Sequence, residues 1–402
     1  MGGREKVLRA AIRILESSGI RGLSLRAAGD EAGVALPTVQ HHFTSLAALL
    51  DEACEAILLR ADQEASENVP FERAIKADEA LALRKLAAAA AHRLGICYAR
   101  TVGEFTAVAH LARHRRGRAA SRAWAARRLR EVRRFVGEHR DRRFLAELSV
   151  GMELLSLGCA QMPNIALLNQ ELLEGALAHK IATDEVPFWF AWENANLAPA
   201  LAMEKSPKPN KPGRPSAMPR PLYAAAVALF AEGGLSAMTF RALAAKANTS
   251  VSVVSYHIPT SALIFYGAYR LIHSRSGWPG RKLAEEPEPL LAVALADIAG
   301  VRAHLLSFQA LAAAATEPEF QFHAWCIRMM RGGHFWRNNA EDLNLRSEDS
   351  ARHLFSVWLL GAGLLAEATL DPEKSRAFLR ERTTKVRERL GLAAVPEHHR
   401  VA

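Results

Sequence analysis

Two adjacent histidines, His41 and His42, are the residues of this sequence whose chemistry is most easily recognised. Imidazoles bind metal ions and transfer protons near neutral pH. Both lie in "LPTVQHHF", residues 36–43, which is predicted to be a short helix. Because successive residues on a helix are about 100° apart, neighbours do not share a face, and the pair cannot chelate one ion. No carboxylate or nucleophile lies at a helpful spacing, so we expect neither a metal site nor a catalytic site here.

The two histidines belong to different faces of this helix. With Val39 at the centre of the inward face, His42 and Phe43 lie near it and are predicted to pack. The outward face carries four side chains, which are Pro37, Thr38, Gln40 and His41. Gln bonds adenine through two hydrogen bonds, and Thr or His donates to phosphates or base edges. The outward face is therefore predicted to enter the major groove of double-stranded DNA; the alternative is a solvated helix face.

The pattern around these histidines occurs twice. Residues 8–50 align without a gap on residues 223–265, at a constant offset of 215. An apolar stripe at helical spacing opens both copies, formed by Leu8, Ala11, Ile12 and Leu15 in the first and by Tyr223, Ala226, Val227 and Phe230 in the second. Both stripes predict an amphipathic helix. Gly19 and Gly234 should end these helices, because glycine readily takes positive φ.

A second and a third helix follow in each copy. Ser24 and Thr239 are predicted to cap the second helix. It ends at Gly33 in one copy and at Asn248 in the other, the two residue types that best tolerate the left-handed conformation. The third helix is predicted over Leu36–Phe43 and Val251–Ile258, and the inward positions of its second copy are Val254, His257 and Ile258. This order of helices and turns predicts a helix-turn-helix DNA-binding unit.

The segment "GLSLRAAGDEAGVALPTVQHHF", residues 22–43, resembles the DNA-binding domain of the TetR family of bacterial transcriptional regulators. The later "GLSAMTFRALAAKANTSVSVVSYHI" is a looser match to the same family. The resemblance implies an all-α chain of two tandem units, each a three-helix DNA-binding domain followed by a helical ligand-binding and dimerisation domain. It also implies a sequence-specific transcriptional regulator, a ligand-responsive repressor without enzymatic activity or cofactor.

The resemblance assigns DNA contacts to further residues. Arg26 and Arg241 should contact the DNA backbone or groove edge. The outward face of the second recognition helix is formed by Ser252, Ser255 and Tyr256. The family commonly has Tyr where Gln40 stands and Lys where Leu46 stands, so two phosphate contacts are lost or moved elsewhere. Whether the second unit binds DNA is left open, because it could also be a degenerate unit kept for symmetry and packing.

Composition shifts divide the chain into five parts. We expect a first helix-turn-helix domain over 1–50, a helical regulatory domain over 51–202, a linker over 203–220, a second helix-turn-helix domain over 221–266 and a second helical domain over 267–402. The linker is rich in proline and lysine, which favours extended chain. Its Arg214, in "KPGRP", is a candidate minor-groove contact; the alternative is a solvated linker.

The two helical domains contain four features of note. Residues 84–112 are predicted to form one long helix, and residues 350–370 another. The stretch 113–143 is strongly basic, and its arginines are expected to form a solvated face around Trp124, Leu129, Val132 and Val136; an acidic ligand or an extra DNA contact remains possible. Aromatic clusters at 188–192 and 320–336 are expected to be core or interface rather than pocket.

The partners follow from charge, hydropathy and the repeat. The net charge of +10 favours an acidic partner such as nucleic acid. No apolar run approaches the roughly 18 residues that span a bilayer, so we expect a cytoplasmic protein with no membrane partner. The expected partners are an operator with unlike half-sites and an unknown small-molecule effector, bound by an internal pseudo-dimer or a homodimer. The competing function is an effector-binding or scaffolding protein whose helix-turn-helix units serve protein contacts.

Overall fold

A computed structural model of the chain describes residues 2–67, 79–112, 117–137, 141–160, 165–177, 220–273, 297–298, 301–317, 320–321, 324 and 347–392. Over these residues the fold is all-α, as the sequence predicts. The exception is a ladder of two-residue strands, β1 (Asp297–Ile298) and β2 (Val301–Arg302), in which Asp297 pairs with Arg302. No helix in these ranges is long and apolar enough to cross a bilayer.

Nine α-helices are described within residues 2–177: α1 Gly3–Gly22, α2 Leu25–Ala32, α3 Leu36–His42, α4 Leu46–Glu67, α5 Glu79–Leu94, α6 Tyr98–Leu111, α7 Arg118–Val136, α8 Arg142–Ser156 and α9 Ile165–Leu177. The α-helices described within residues 220–392 are α10 Arg220–Gly233, α11 Phe240–Lys246, α12 Val251–His257, α13 Ser261–His273, α14 Ala303–Ala314, α15 Ser347–Thr369 and α16 Pro372–Arg389. The predicted helix over 350–370 is confirmed as α15. A continuous core runs through both sets, and its largest fully buried side chains include Trp124 and Trp358.

The long helix predicted over 84–112 is wrong, because it breaks at Gly95–Cys97 into α5 and α6. Eleven residues of continuous helix would separate Arg93 from Glu104 by about 16 Å. The break instead brings Arg93 Nη2 to 3.2 Å from Glu104 Oε2. Thr101 closes the turn by donating its hydroxyl to the Arg93 carbonyl at 2.7 Å. The helical pattern on both sides of Gly95 gave no sign of these contacts between α5 and α6.

The basic stretch also departs from expectation. Trp124 and Val132 of α7 are buried as predicted. Arg127 and Arg128, which were expected on a solvated face, are only 4% and 3% exposed. They are buried because each guanidinium lies between two carboxylates contributed by α6, α7 and α8. The expectation of a solvated arginine face is thus wrong for these two residues.

Six buried or half-buried side chains form a closed ring of ion pairs, which we call the Arg–Glu ring. In order around the ring they are Arg93, Glu104, Arg127, Glu131, Arg128 and Glu153, joined by N···O distances of 2.5–3.2 Å. Three arginines and three glutamates alternate, so the ring is electrically balanced. Because its members come from α5, α6, α7 and α8, it ties four helices together.

Burial would by itself raise the pKa of Glu104, since a charged carboxylate is poorly solvated there. Arg93, Arg127 and Arg128 outweigh this effect and hold its pKa at about 2. The same balance lowers the pKa of Glu131, where Arg128 is the strongest of the opposing charges. Both carboxylates therefore stay ionised in the folded protein at neutral pH.

The two halves of the chain meet where α8 packs against α15. A Cβ at Gly151 would overlap the carbonyl oxygen of Val357, and a Cβ at Gly361 would overlap that of Glu147. The two backbones approach this closely because both helices have glycine at the crossing. Beside this crossing, the buried Glu147 accepts hydrogen bonds from Trp358 Nε1 at 2.6 Å and from Arg382 Nη2 of α16 at 2.8 Å.

Substitution at this crossing provides a test of the packing. Gly361→Ala should destabilise the protein by about 1–3 kcal/mol, since the added methyl group meets backbone that cannot move aside. Gly363→Ala is the matched control, because its Cβ would meet the Phe308 ring at an ordinary 3.4 Å. Both changes raise helix propensity equally. Urea unfolding should show G361A less stable than the wild type and G363A not; equal midpoints for the two variants would contradict the close contact.

The Arg–Glu ring should make the free energy of unfolding depend on pH in the acidic range. Glu104→Gln leaves buried arginines with fewer carboxylates and should cost about 3–5 kcal/mol at pH 7. The ordinary pKa of this carboxyl group is 4.5 and its folded value about 2, so its stabilisation is complete above pH 4.5 and is lost as the pH falls through 2. Urea unfolding should therefore show the E104Q deficit shrinking below pH 4.5.

Glu381→Gln is the control for this substitution, since it removes an exposed carboxylate that pairs with Lys385 on α16. Such surface pairs contribute about 0–1 kcal/mol. A deficit for E104Q no larger than that of E381Q at pH 7 would show that the ring contributes little to stability.

Candidate nucleic-acid interface

The first helix-turn-helix unit is built from local interactions that the sequence predicts. Gly19 has φ 67° inside α1 and redirects the chain there. Ser24 Oγ accepts a hydrogen bond from the Ala27 N–H at 3.0 Å and caps α2. Gly33 ends α2 with φ 65° and ψ 36°, the left-handed conformation. The third helix, α3, ends at His42, one residue earlier than expected, and Phe43 has extended backbone angles.

Alternation of exposed and buried side chains along α3 defines its two faces. Pro37, Thr38, Gln40 and His41 are all exposed. On the other face Val39 is 0% and Phe43 2% exposed, and His42 is half-buried near Gly3 of α1. The rings of His41 and His42 lie 5.3 Å apart at a tilt of 59°. The α3 surface thus presents two hydrogen-bonding side chains, one imidazole and one proline to solvent.

The second unit repeats this construction with different residues. Gly234 has φ 69°, and a short 3-10 helix over Leu235–Ala237 follows it. Thr239 Oγ1 accepts a hydrogen bond from the Ala242 N–H at 3.2 Å. Asn248 takes φ 51° at the turn where the first unit has Gly33. Ser250 caps α12 through the Val253 N–H, whereas Ala35 of the first unit makes no side-chain cap.

The α12 surface is more apolar than the α3 surface. Ser252, Ser255 and Tyr256 are exposed, as the sequence predicts. Val254 and Ile258 are buried, and His257 is half-buried. Three large side chains are 43–45% exposed, namely Val251, Val253 and Tyr256. This apolar face was not predicted from the sequence, although Val253 stands at the position equivalent to Thr38.

Two arginines lie near the start of the second helix in each unit. Arg26 follows Leu25 at the beginning of α2, and Arg241 follows Phe240 at the beginning of α11. Both are exposed, and neither forms an ion pair with another residue that the structure describes. Both guanidinium groups are therefore available to a phosphate. Arg214 of the linker lies outside the described residues, as do residues 188–192 and most of 320–336 in the aromatic clusters.

Residues from both halves connect the two units. Arg21 Nη1, at the end of α1, pairs with Glu317 Oε2 at 2.6 Å, just beyond α14. Gln309 of α14 accepts a hydrogen bond from the Leu235 N–H at 3.0 Å and donates to the carbonyl of Ala109 in α6 at 3.3 Å. The turn after the first helix of each unit therefore rests on α14 or on the residues that follow it.

A cavity of about 490 Å³ lies among α4–α8 and was not predicted from the sequence. All six members of the Arg–Glu ring line it, together with Lys85, Cys97 and Phe135. The spacing of Arg127, Arg128 and Glu131 on one helix was a possible signal, but their partners are distant in sequence. Among the residues that the structure describes, no group of three His, Cys, Asp or Glu side chains is placed to hold a metal ion.

Comparison with known proteins supports the two units. Residues 7–53 and 222–260 each match the family described as bacterial regulatory proteins, tetR family. Neither the curated proteins nor the solved structures contain a match to this chain. The matched ranges cover most of α1 and α10 and all of α2, α3, α11 and α12, the helices whose caps, turns and exposed faces are described above. The chain therefore carries, in tandem, two helix-turn-helix segments that match the family of bacterial regulatory proteins described as the tetR family.

Proposed function

We propose that the protein is a transcriptional repressor that binds an operator with both helix-turn-helix units of one chain and releases it when a small molecule binds. DNA binding is assigned to residues 1–50 and 221–266, and effector response to 51–202 and 267–402, joined by the linker 203–220. Because the proposed operator lies on chromosomal DNA, the proposed location of the protein is the cytoplasm. The observation that carries the proposal is the exposed polar face of α3 beside an exposed Arg26.

The internal pseudo-dimer is supported by contacts between the halves of the chain. Two-fold related recognition helices reach successive major grooves when they are about 34–36 Å apart. Such spacing requires that the two units be held in a fixed relation. The α8–α15 crossing and the contacts of Arg21 and Gln309 provide such a connection within one polypeptide.

The two units present different chemistry, so we propose that they read unlike half-sites. Gln40 and His41 on α3 offer hydrogen bonds to base edges. Val251 and Val253 on α12 offer apolar contacts, which suit the methyl group of thymine. Ser252 and Ser255 suit phosphates. The operator is therefore an imperfect palindrome.

The same apolar face of α12 favours a second candidate function for the second unit, which is a protein contact. The two functions differ in their dependence on salt. Binding to DNA through several phosphates weakens steeply as salt concentration rises, whereas an apolar protein contact does not. A weak salt dependence of DNA binding would therefore favour the protein contact.

Substitution of Arg26 tests the DNA contact of the first unit. Arg26→Ala should cost about 1–3 kcal/mol of DNA affinity, because it removes a charged contact to the backbone or groove edge. Lys374→Ala, an exposed cation on α16, is the control and should bind as the wild type does. Gel-shift titration at fixed salt measures both. If R26A and K374A retain DNA equally well, Arg26 makes no contact.

Selection of bound sequences from a random DNA library tests the pseudo-dimer. One 44.0 kDa chain should bind one operator with two unlike half-sites. Gln40→Ala should relax the base preference in one half-site, and Val253→Ala should change it in the other. A chain dimer bound to two identical half-sites, both altered by Q40A, would contradict the internal arrangement.

A further inference from the structure

The cavity among α4–α8 has the size of a small-molecule site, since such sites commonly measure about 300–1,000 Å³. Its lining combines charged and apolar side chains. Leu86 and Val132 are buried, Phe135 is half-buried, and Ala61 and Ala90 complete an apolar wall. The Arg–Glu ring supplies a polar wall. The cavity can thus accommodate a molecule with both an apolar and a polar part.

Charge decides which polar group fits. The three arginines and three carboxylates of the Arg–Glu ring balance one another, and Lys85 adds a positive charge to the lining. All three carboxylates, Glu104, Glu131 and Glu153, are already bound to arginines of the ring. A cationic ligand would have to displace an arginine from its partner. An anionic ligand would meet an attractive field without disturbing the ring.

One position on the lining favours an anionic group. Lys85 is half-buried on the same cavity and forms no ion pair with any described residue. Ammonium groups bind carboxylates through charge-assisted hydrogen bonds.

We propose that this cavity binds an apolar molecule that carries one carboxylate, with the carboxylate at Lys85, beside the Arg–Glu ring, and the apolar part against Leu86, Val132 and Phe135. The inference deepens the effector response proposed above and rests on that function only for its effect on DNA. The binding itself can be measured without DNA.

Calorimetric titration of the full chain with three probes of equal length tests the ligand class. Decanoate is the anionic probe, decanol the neutral one and decylamine the cationic one. Decanoate should bind at least ten-fold more tightly than decanol, and decylamine should not bind. Decylamine binding as tight as that of decanoate, or no binding of decanoate, would overturn the proposal.

A variant tests the position of the carboxylate. Lys85→Met keeps the aliphatic stem and removes the charge, so it should weaken decanoate binding five-fold or more and leave decanol binding unchanged. Lys374→Met, an exposed cation outside the cavity, should leave both unchanged. Equal affinity of decanoate for K85M and the wild type would place the carboxylate elsewhere and overturn the assignment.

A gel-shift assay with decanoate separates this inference from the proposed function. Release of DNA by decanoate, weakened in K85M, supports both. Decanoate binding by calorimetry without release of DNA would leave the ligand class standing and would contradict the effector response.

Discussion

The structure depends on one close contact, the crossing of α8 and α15 at Gly151 and Gly361. Each glycine faces a backbone carbonyl of the other helix, so no side chain fits between them. Interiors pack as densely as organic crystals, and a contact of this kind has little freedom to slide. Trp358 and Arg382 then satisfy the buried carboxylate of Glu147 beside it. Because these two helices belong to different halves of the chain, the crossing holds one half against the other, together with the contacts of Arg21 and Gln309.

The Arg–Glu ring holds helices α5–α8 of the first half together, as the crossing holds α8 against α15. A buried ion pair often adds little net stability, since desolvation offsets the attraction between the charges. Its geometric demand is strict, however, because each guanidinium must meet two carboxylates on different helices. A ligand in the adjoining cavity would therefore act on the relative positions of α5–α8. His110 of α6 forms a hydrogen bond with Asp51 of α4, with Nε2 and Oδ1 2.8 Å apart. Helix α4 directly follows the first helix-turn-helix unit.

The two units share a backbone and differ in surface. Gly33 and Asn248 both have positive φ at equivalent turns, and Ser24 and Thr239 cap the equivalent helices α2 and α11. In an ordinary homodimer the two recognition helices are identical by symmetry. Joining both units in one chain removes that constraint, because each recognition helix can change without the other. The two helices do differ, since the exposed face of α3 is polar and that of α12 is more apolar.

Local order was predictable from the sequence alone. Helix caps, left-handed turns and the inward position of Val39 depend on interactions within a few residues, and the repeat at an offset of 215 presented each of them twice. The break at Gly95, the burial of Arg127 and Arg128, and the crossing at Gly361 depend on partners tens or hundreds of residues away. An arginine has the same helix propensity whether it meets water or a distant glutamate, and a glycine has the same low propensity whether or not a backbone faces it. Only the folded chain, by bringing those partners together, decided which arginines became buried, where a long helix turned and where the cavity formed.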